Sequence, residues 1–300
     1  MDRIDLLRIF TRVVDCASFT RAAETLGLPR SSVSAAVQEL ERRLGARLLH
    51  RTTRKVAPTH DGAQFYERAL RLVADMEDAE GLFRPGAEPP AGRLRVDVPG
   101  RIGRLVLAPA LPAFLERHPQ IDIDLGVSDR MVNLVEEAVD CAVRVGAVTQ
   151  PGLVARTIGP LALINVASPA YLARAGVPLT PADLPAHQAV GYAAAGQARP
   201  EDWEWIEHGA AHSLALPARV IVNNAEAYIA CCQAGLGLIQ IPAYDVRALL
   251  AAGELVEVLP EFRAAPLPMT LLYPHRQQLS RRLKAFTDWL LPLLRRELGL

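Results

Sequence analysis

Lysine is nearly missing from this 300-residue chain, occurring only as Lys55 and Lys284, so arginine carries almost all of the positive charge. That bias reads as a codon-composition effect and excludes no function. Cysteine is scarce as well. Cys16, Cys141, Cys231 and Cys232 lack the spacing of a zinc ribbon or a disulfide scaffold, which suits a reducing compartment. No run of about 18 apolar residues occurs, which excludes a membrane-spanning helix, and Met1-Asp2-Arg3-Ile4-Asp5 has no signal-peptide character. A cytoplasmic protein with no membrane partner is expected. Catalytic signatures are missing too: there is no Gly-x-Ser-x-Gly and no Gly-x-x-x-x-Gly-Lys. Gly235-Leu236-Gly237 falls between a helix and a strand, the reverse of a dinucleotide fingerprint, and fits a helix cap. His208 and His212 have neither Cys partners nor a His-Glu-x-x-His pattern, so no metal is expected. Cys231 and Cys232 sit in an apolar helical run and read as core. Asp122 and Asp124 read as the polar side of a strand end. Trp203 and Trp205 read as local packing or as a platform for a ligand. No acid, base and nucleophile set stands out, and no cofactor is expected.

What is present has two parts. Hydrophobic residues make up 50% of the chain, enough for real cores, and the length suits about two domains. The net charge of zero conceals an asymmetry: residues 1 to 58 hold 11 Lys and Arg against 6 Asp and Glu, and the remainder hold 22 against 27. A basic head on an acidic body points to nucleic acid, because the head lacks the broad aromatic and cationic face that a membrane surface needs.

Within the head, Phe19, Ala22, Ala23 and Leu26 recur at helical spacing behind Ser18 as N-cap. Gly27 stops that helix, Pro29 suits the start of the next, and Val33, Val37, Leu40 and Leu44 form its apolar stripe. Arg30, Ser31, Ser34, Ala35 and Gln38 are left outside. Arg suits guanine, Gln suits adenine, and Ser or Ala permits close approach to base edges in the major groove. A plain helical hairpin would also have a polar face. The next segment speaks against it: after Gly45 a β-type ribbon, residues 46 to 59, carries Arg47, Arg51, Arg54 and Lys55, cations suited to phosphates.

From Asp5-Leu6-Leu7-Arg8-Ile9-Phe10 through Ser18-Phe19-Thr20-Arg21-Ala22-Ala23, Val33-Ser34 and Leu40-Glu41-Arg42-Arg43-Leu44-Gly45 to Leu48-Leu49-His50-Arg51-Thr52-Thr53-Arg54, Thr59 and Gly62, the chain resembles the N-terminal domain of LysR-type transcriptional regulators. The resemblance implies a winged helix-turn-helix over residues 1 to 60, a dimerisation linker helix over 61 to 83, and a two-lobed α/β effector domain like periplasmic binding proteins. It implies double-stranded DNA, a small-molecule effector, RNA polymerase and further copies of the chain as partners, in a dimer or a dimer of dimers. The candidate DNA-binding residues are Ser18, Thr20, Arg30, Ser31, Ser32, Ser34, Ala35, Gln38, Arg51, Thr52, Thr53, Arg54 and Lys55. Family members often carry Arg at the position of Ala35 and a basic residue at that of Gln38, so the operator read here is expected to differ. Two rival readings stay open: an architectural DNA binder indifferent to small molecules, and an enzyme built on the lobed domain.

Residues 61 to 83 read as one long amphipathic helix. Its stripe of Phe65, Ala69, Leu72, Val73 and Met76 is expected to pack on a partner subunit and on the first helix, and burial within its own domain is the alternative. Pro and Gly at 84 to 92 mark a hinge. Beyond it, strands at 94–98, 121–127 and 141–145 and helices at 105–116 and 131–138 alternate as in a parallel sheet. A second set follows: strands near 161–166, 189–192, 219–222 and 236–241, and a helix at 225–234. The resemblance implies that strand 269–273 and helix 280–294 return to the first lobe, giving lobe one as 93–162 plus 268–300 and lobe two as 163–267. Open α/β sheets bind ligands beyond the carboxyl ends of their strands. That places Pro99, Gly100, Arg101, Ile102, Gly103, Arg104, Ser128, Asp129, Arg144, Gly146, Tyr192, Asn224 and Glu226 around a cleft. Arg101 or Arg104 beside helix N-termini would favour an anion, and the effector is expected to be a small carboxylate. Solvated surface arginines are the bland alternative.

Overall fold

The computed structural model describes residues 1–51, 56–81, 89–130, 132–134, 136–137, 139–148, 152–194, 197, 199–274 and 279–299. It forms two compact units, Met1–Pro89 and Pro90–Leu300.

In the first unit, α1 (Arg3–Cys16) opens on a capping box between Asp2 and Asp5. The α2 helix (Phe19–Leu26) starts behind Ser18, whose Oγ accepts from the Arg21 amide at 3.3 Å. Gly27 closes α2 at φ +63°, a left-handed conformation that a side chain resists. Pro29 then leads into α3 (Arg30–Leu44). Strands β1 (Leu49–Arg51) and β2 (Val56–Pro58) pair antiparallel as the wing. Glu41 fixes its entry, its Oε1 accepting from the Leu48 and Leu49 amides at 2.9 and 3.2 Å. Thr59 closes it, donating to the Arg47 carbonyl and accepting from the Gly62 amide, so that α4 (His60–Gly81) begins there. Gly62 sits so near the wing that a Cβ would fall 1.9 Å from the Leu48 carbonyl oxygen. Leu6, Ile9, Phe10, Val13, Ala22, Val33, Val37, Leu40, Leu48 and Ala69 form the core, and their removal from water, at about 25 cal/mol per Å² of apolar surface, holds the short elements together.

The second unit runs β3 (Gly92–Val98), α5 (Gly100–Ile102), a π-helical turn (Gly103–Leu107), α6 (Ala108–Arg117), β4 (Ile121–Val127), β5 (Cys141–Val145) and β6 (Leu153–Leu161). Next come β7 (Leu163–Ala167), α7 (Pro169–Ala175), β8 (Ala189–Tyr192), β9 (Trp203–Glu207), β10 (Ala210–Leu214), β11 (Ala218–Val222), α8 (Ala225–Gln233) and β12 (Ile239–Pro242). The chain ends with α9 (Ala243–Ala251), β13 (Val256–Glu257), β14 (Leu267–Pro274) and α10 (Arg281–Leu298). One sheet has the order β4-β3-β5-β14-β6, with β3 parallel to β4 and β5, and β14 antiparallel to both its neighbours. The α10 helix covers it, Phe286 meeting Phe114 edge-on at 5.5 Å. A second lobe holds β12-β7-β13 and the parallel pair β11-β8, joined through an Ala189–Leu238 bridge.

The structure departs from the sequence reading in several places. The helix expected from Leu105 begins at Gly100, directly behind Pro99. The helix expected at 131–138 does not form in its described residues, which make a turn tied by Glu137 to Arg130 and to the Asn133 amide. The hairpin of β9 and β10 was unforeseen.

Candidate DNA-binding face and effector cleft

Burial of Val33, Ala36, Val37 and Leu40 turns the opposite side of α3 to solvent. Arg30, Ser31, Ala35 and Gln38 are exposed, and Ser32 and Ser34 are half-buried. Arg30 makes no hydrogen bond or ion pair with the described residues, so its guanidinium is available. Thr20 is exposed on α2, whereas the Ser18 hydroxyl is engaged in capping. At the other end of α3, Glu39 binds Arg42 and Arg43 at 2.8 and 2.6 Å, and these hydrogen bonds hold its carboxyl down at about 2. On the wing, Thr52, Thr53, Arg54 and Lys55 lie outside the described residues, as does the side chain of Arg51.

The α4 stripe divides between two environments. Ala69 is fully buried, and Phe65 and Val73 pack on the same core, with the Phe65 ring 5.6 Å from Phe10. The packing of Phe65 on Phe10 of α1 is the expected contact with the first helix, and Ala69 is closed within the core of its own unit. Leu72 and Met76, 52% and 39% exposed, are the stripe residues left uncovered.

Between the lobes of the second unit lies a cavity of about 720 Å³. Pro99, Arg101, Ser128, Asp129, Arg144, Gly146 and Tyr192 line it. The other expected residues do not line it. Ile102 and Gly103 are buried, Ile102 in the first lobe's core; Asn224 caps α8 by accepting from the Ala227 amide at 2.8 Å. Gly100 gives its amide to Asp129 Oδ1 at 2.9 Å, and Asp129 Oδ2 accepts from the Ala225 amide at 2.8 Å, so one carboxylate joins helix starts from both lobes. Arg101 is buried and tied across the cleft, to Glu226 at 2.9 Å and to both the carboxylate and the carbonyl of Asp245. Arg104 reaches the other oxygen of Glu226 at 3.0 Å. Arg144 binds Asp97 at 2.6 Å within its own lobe. The arginines are therefore neither solvated surface charge, Arg104 excepted, nor unpaired anion receptors. Burial pushes the Asp245 carboxyl up to about 7 against the pull of Arg101.

Sequence reasoning missed Glu201, Asp202, Glu204, Tyr228, Gln240, Tyr244 and Asp245, which belong to the lining as Trp203 does. The signal for three of them was legible: Glu201-Asp202-Trp203-Glu204 concentrates acid around an aromatic ring. His208, weighed as a metal ligand, lies in a hairpin turn, and His212 stacks on Trp205 at 5.3 Å. Among the described residues no cluster of three His, Cys, Asp or Glu could hold a metal, and no helix is long and apolar enough to cross a membrane.

Comparison with known proteins matches this architecture from end to end. Residues 4–63 match the bacterial regulatory helix-turn-helix protein, lysR family, and residues 87–295 match the LysR substrate binding domain. The HTH-type transcriptional regulator YhjC of Escherichia coli is 41% identical over 97% of each chain. An HTH-type transcriptional repressor of Pseudomonas aeruginosa is 36% identical, over 98% of this chain and 92% of its own. Among solved structures, CrgA of Neisseria meningitidis, a LysR-type transcriptional regulator, superposes with a TM-score of 0.62 at 33% identity over 99% of both chains. The virulence activator AphB of Vibrio cholerae gives 0.59 at 27% identity over 97% of this chain and 99% of its own. A helix-turn-helix head with an exposed second helix, followed by a two-lobed domain around a cleft, thus comes with homology along the whole length, and the chain belongs to the LysR family of DNA-binding transcriptional regulators.

Proposed function

We propose that this regulator reads a specific operator through the outer side of α3 and is switched by a small molecule held between the lobes of its second unit. The observation that carries the reading is a cavity walled by both lobes and crossed by Arg101, Arg104 and Asp129, because a ligand there alters contacts that set one lobe against the other. Arg30 suits guanine, Gln38 suits adenine, and Ser31 and Ala35 leave room for close approach. Arg47, Arg51, Arg54 and Lys55 supply phosphate contacts that give affinity and register, not sequence information.

Leu72 and Met76 supply apolar contact for a second copy, and paired heads call for a partly palindromic operator with half-sites about one helical turn apart. Assembly into a dimer of dimers and contact with RNA polymerase would extend the same scheme. An effector shifts the assembly only through unequal affinity for its two states. A carboxylate effector would have to displace Glu226 or Asp245 from Arg101, or Asp97 from Arg144, so neither lining arginine stands ready for it.

The test is a mobility-shift titration on the protein's own promoter region and on random DNA. Arg30→Ala should cost about 1–3 kcal/mol on the operator and relax preference at particular bases, whereas Arg54→Ala should weaken both DNAs alike. Equal affinity of the unaltered protein for both DNAs would instead favour an architectural binder. Identical behaviour of the two variants would end the division into reading and clamping residues.

A further inference from the structure

Inside the cleft, the groups that would welcome an anion already have a protein carboxylate against them. The amides that open α5 and α8 both donate to Asp129. Arg101 is held by Glu226 and Asp245, and Arg144 by Asp97. Negative charge is in the opposite position. Glu201, Asp202 and Glu204 line one wall where β9 begins, and among the described residues no hydrogen bond or ion pair engages their carboxylates. Burial, and after it the charge of Glu204, raises the Glu201 carboxyl above its ordinary range. Tyr192 is pushed up to about 12 by burial and then by Asp129, Glu201 and Asp245. Both shifts come first from loss of solvent, with the neighbouring carboxylates adding to them.

The remaining walls suit a cation. Tyr192 and Tyr228 meet at 5.3 Å in an edge-on pair, Tyr244 lines the same cavity, and ring faces attract positive charge.

We propose that the effector is an amine-bearing organic cation. Its ammonium group sits against Glu201, Asp202, Glu204 and the tyrosine rings. The assignment rests on the reading of the cleft as the effector site. About 720 Å³ accommodates a ligand of aromatic-amine or amino-sugar size.

The test uses matched trios on the full chain: tyramine, tyrosol and 4-hydroxyphenylacetate, then glucosamine, glucose and glucuronate, followed by calorimetry and thermal unfolding. An amine is expected to bind and raise the unfolding temperature, while its matched acid does not. Combined Glu201→Gln, Asp202→Asn and Glu204→Gln, all at exposed positions, should weaken the amine on the order of tenfold, and raised salt should weaken it similarly. Ala147→Trp, at the exposed rim, should abolish binding by blocking the cavity. Failure of every amine, an acid binding as well as its amine, or indifference to the triple substitution overturns the cationic class. Acid binding that Ala147→Trp abolishes would keep the cleft as effector site while refuting the cation. Binding untouched by Ala147→Trp would refute the cleft itself.

Discussion

A single carboxylate, Asp129, holds the first amides of two helices from opposite lobes, and a second, Asp245, is buried against Arg101. Such residues were the hardest to read from sequence. Arg101 was legible as a cation near the cleft because it follows a strand directly; its partners, Glu226 and Asp245, lie more than a hundred residues away, where no periodicity reports them. Arg30 and Gln38 were legible because the apolar stripe of their own helix dictates the exposed side. Asp245 has a consequence for stability. Its ordinary carboxyl value of 3.8 is raised to about 7 by burial, with Arg101 opposing and Asp129 adding to the rise. A raised carboxyl means that the folded state holds the proton more tightly than the unfolded chain, so the second unit loses stability as pH climbs from about 4 through 7 and recovers none above it. Asp245→Asn should flatten that dependence and raise the unfolding temperature at pH 8 relative to the unaltered protein, with Glu226 still answering Arg101. Thermal scans of the full chain at pH 5, 6.5 and 8 would check it; an unchanged pH profile in the variant would assign the dependence elsewhere.

Elements with one clear period were read with their boundaries nearly intact: β4 and β5 fall where alternation and apolar runs place them, and α2 and α3 are bracketed by Ser18, Gly27, Pro29 and Gly45. The hairpin of β9 and β10 escaped because its turn is His208-Gly209, with φ of 49° and 79°, rather than the Asn-Gly or Asp-Gly that usually marks two left-handed residues. The β6 strand escaped because Gly159 and Pro160 interrupt it, which an edge position tolerates. The α4 helix shows how far a stripe can be divided. Ala69 closes the core of its own unit, so Ala69→Glu should unfold that unit. Leu72 and Met76 belong to the same period but face outward. Leu72→Glu with Met76→Glu should therefore leave the fold of the first unit intact while lowering self-association, read by sedimentation velocity and by loss of cooperative operator binding. Unchanged sedimentation would place the dimer contact on another surface.

At the scale of the whole molecule, charge is segregated, and the acidic surplus beyond residue 58 is concentrated where it matters for the cleft. On the proposed reading, contacts that cross the cleft would set the balance between an open and a closed arrangement of the lobes. Glu226 is the hub of that set, one oxygen on Arg101 and the other on Arg104, and it does not line the cavity. Removing its charge releases Arg104 and leaves Arg101 to Asp245 alone, without removing a lining group, so Glu226→Gln should shift the lobes toward the open arrangement. A ligand that needs the closed arrangement then binds with an apparent Kd raised by the inverse of the closed fraction. A tenfold loss of closed population gives a tenfold weaker ligand. DNA affinity in the absence of ligand would change only as far as the head senses the lobes, so the pair of measurements separates coupling from binding. Calorimetry on the full chain and a mobility shift with and without ligand provide them. If Glu226→Gln left the ligand's Kd and its effect on DNA both unaltered, the ion pairs across the cleft would be packing contacts and the switch would have to lie in other contacts between the lobes.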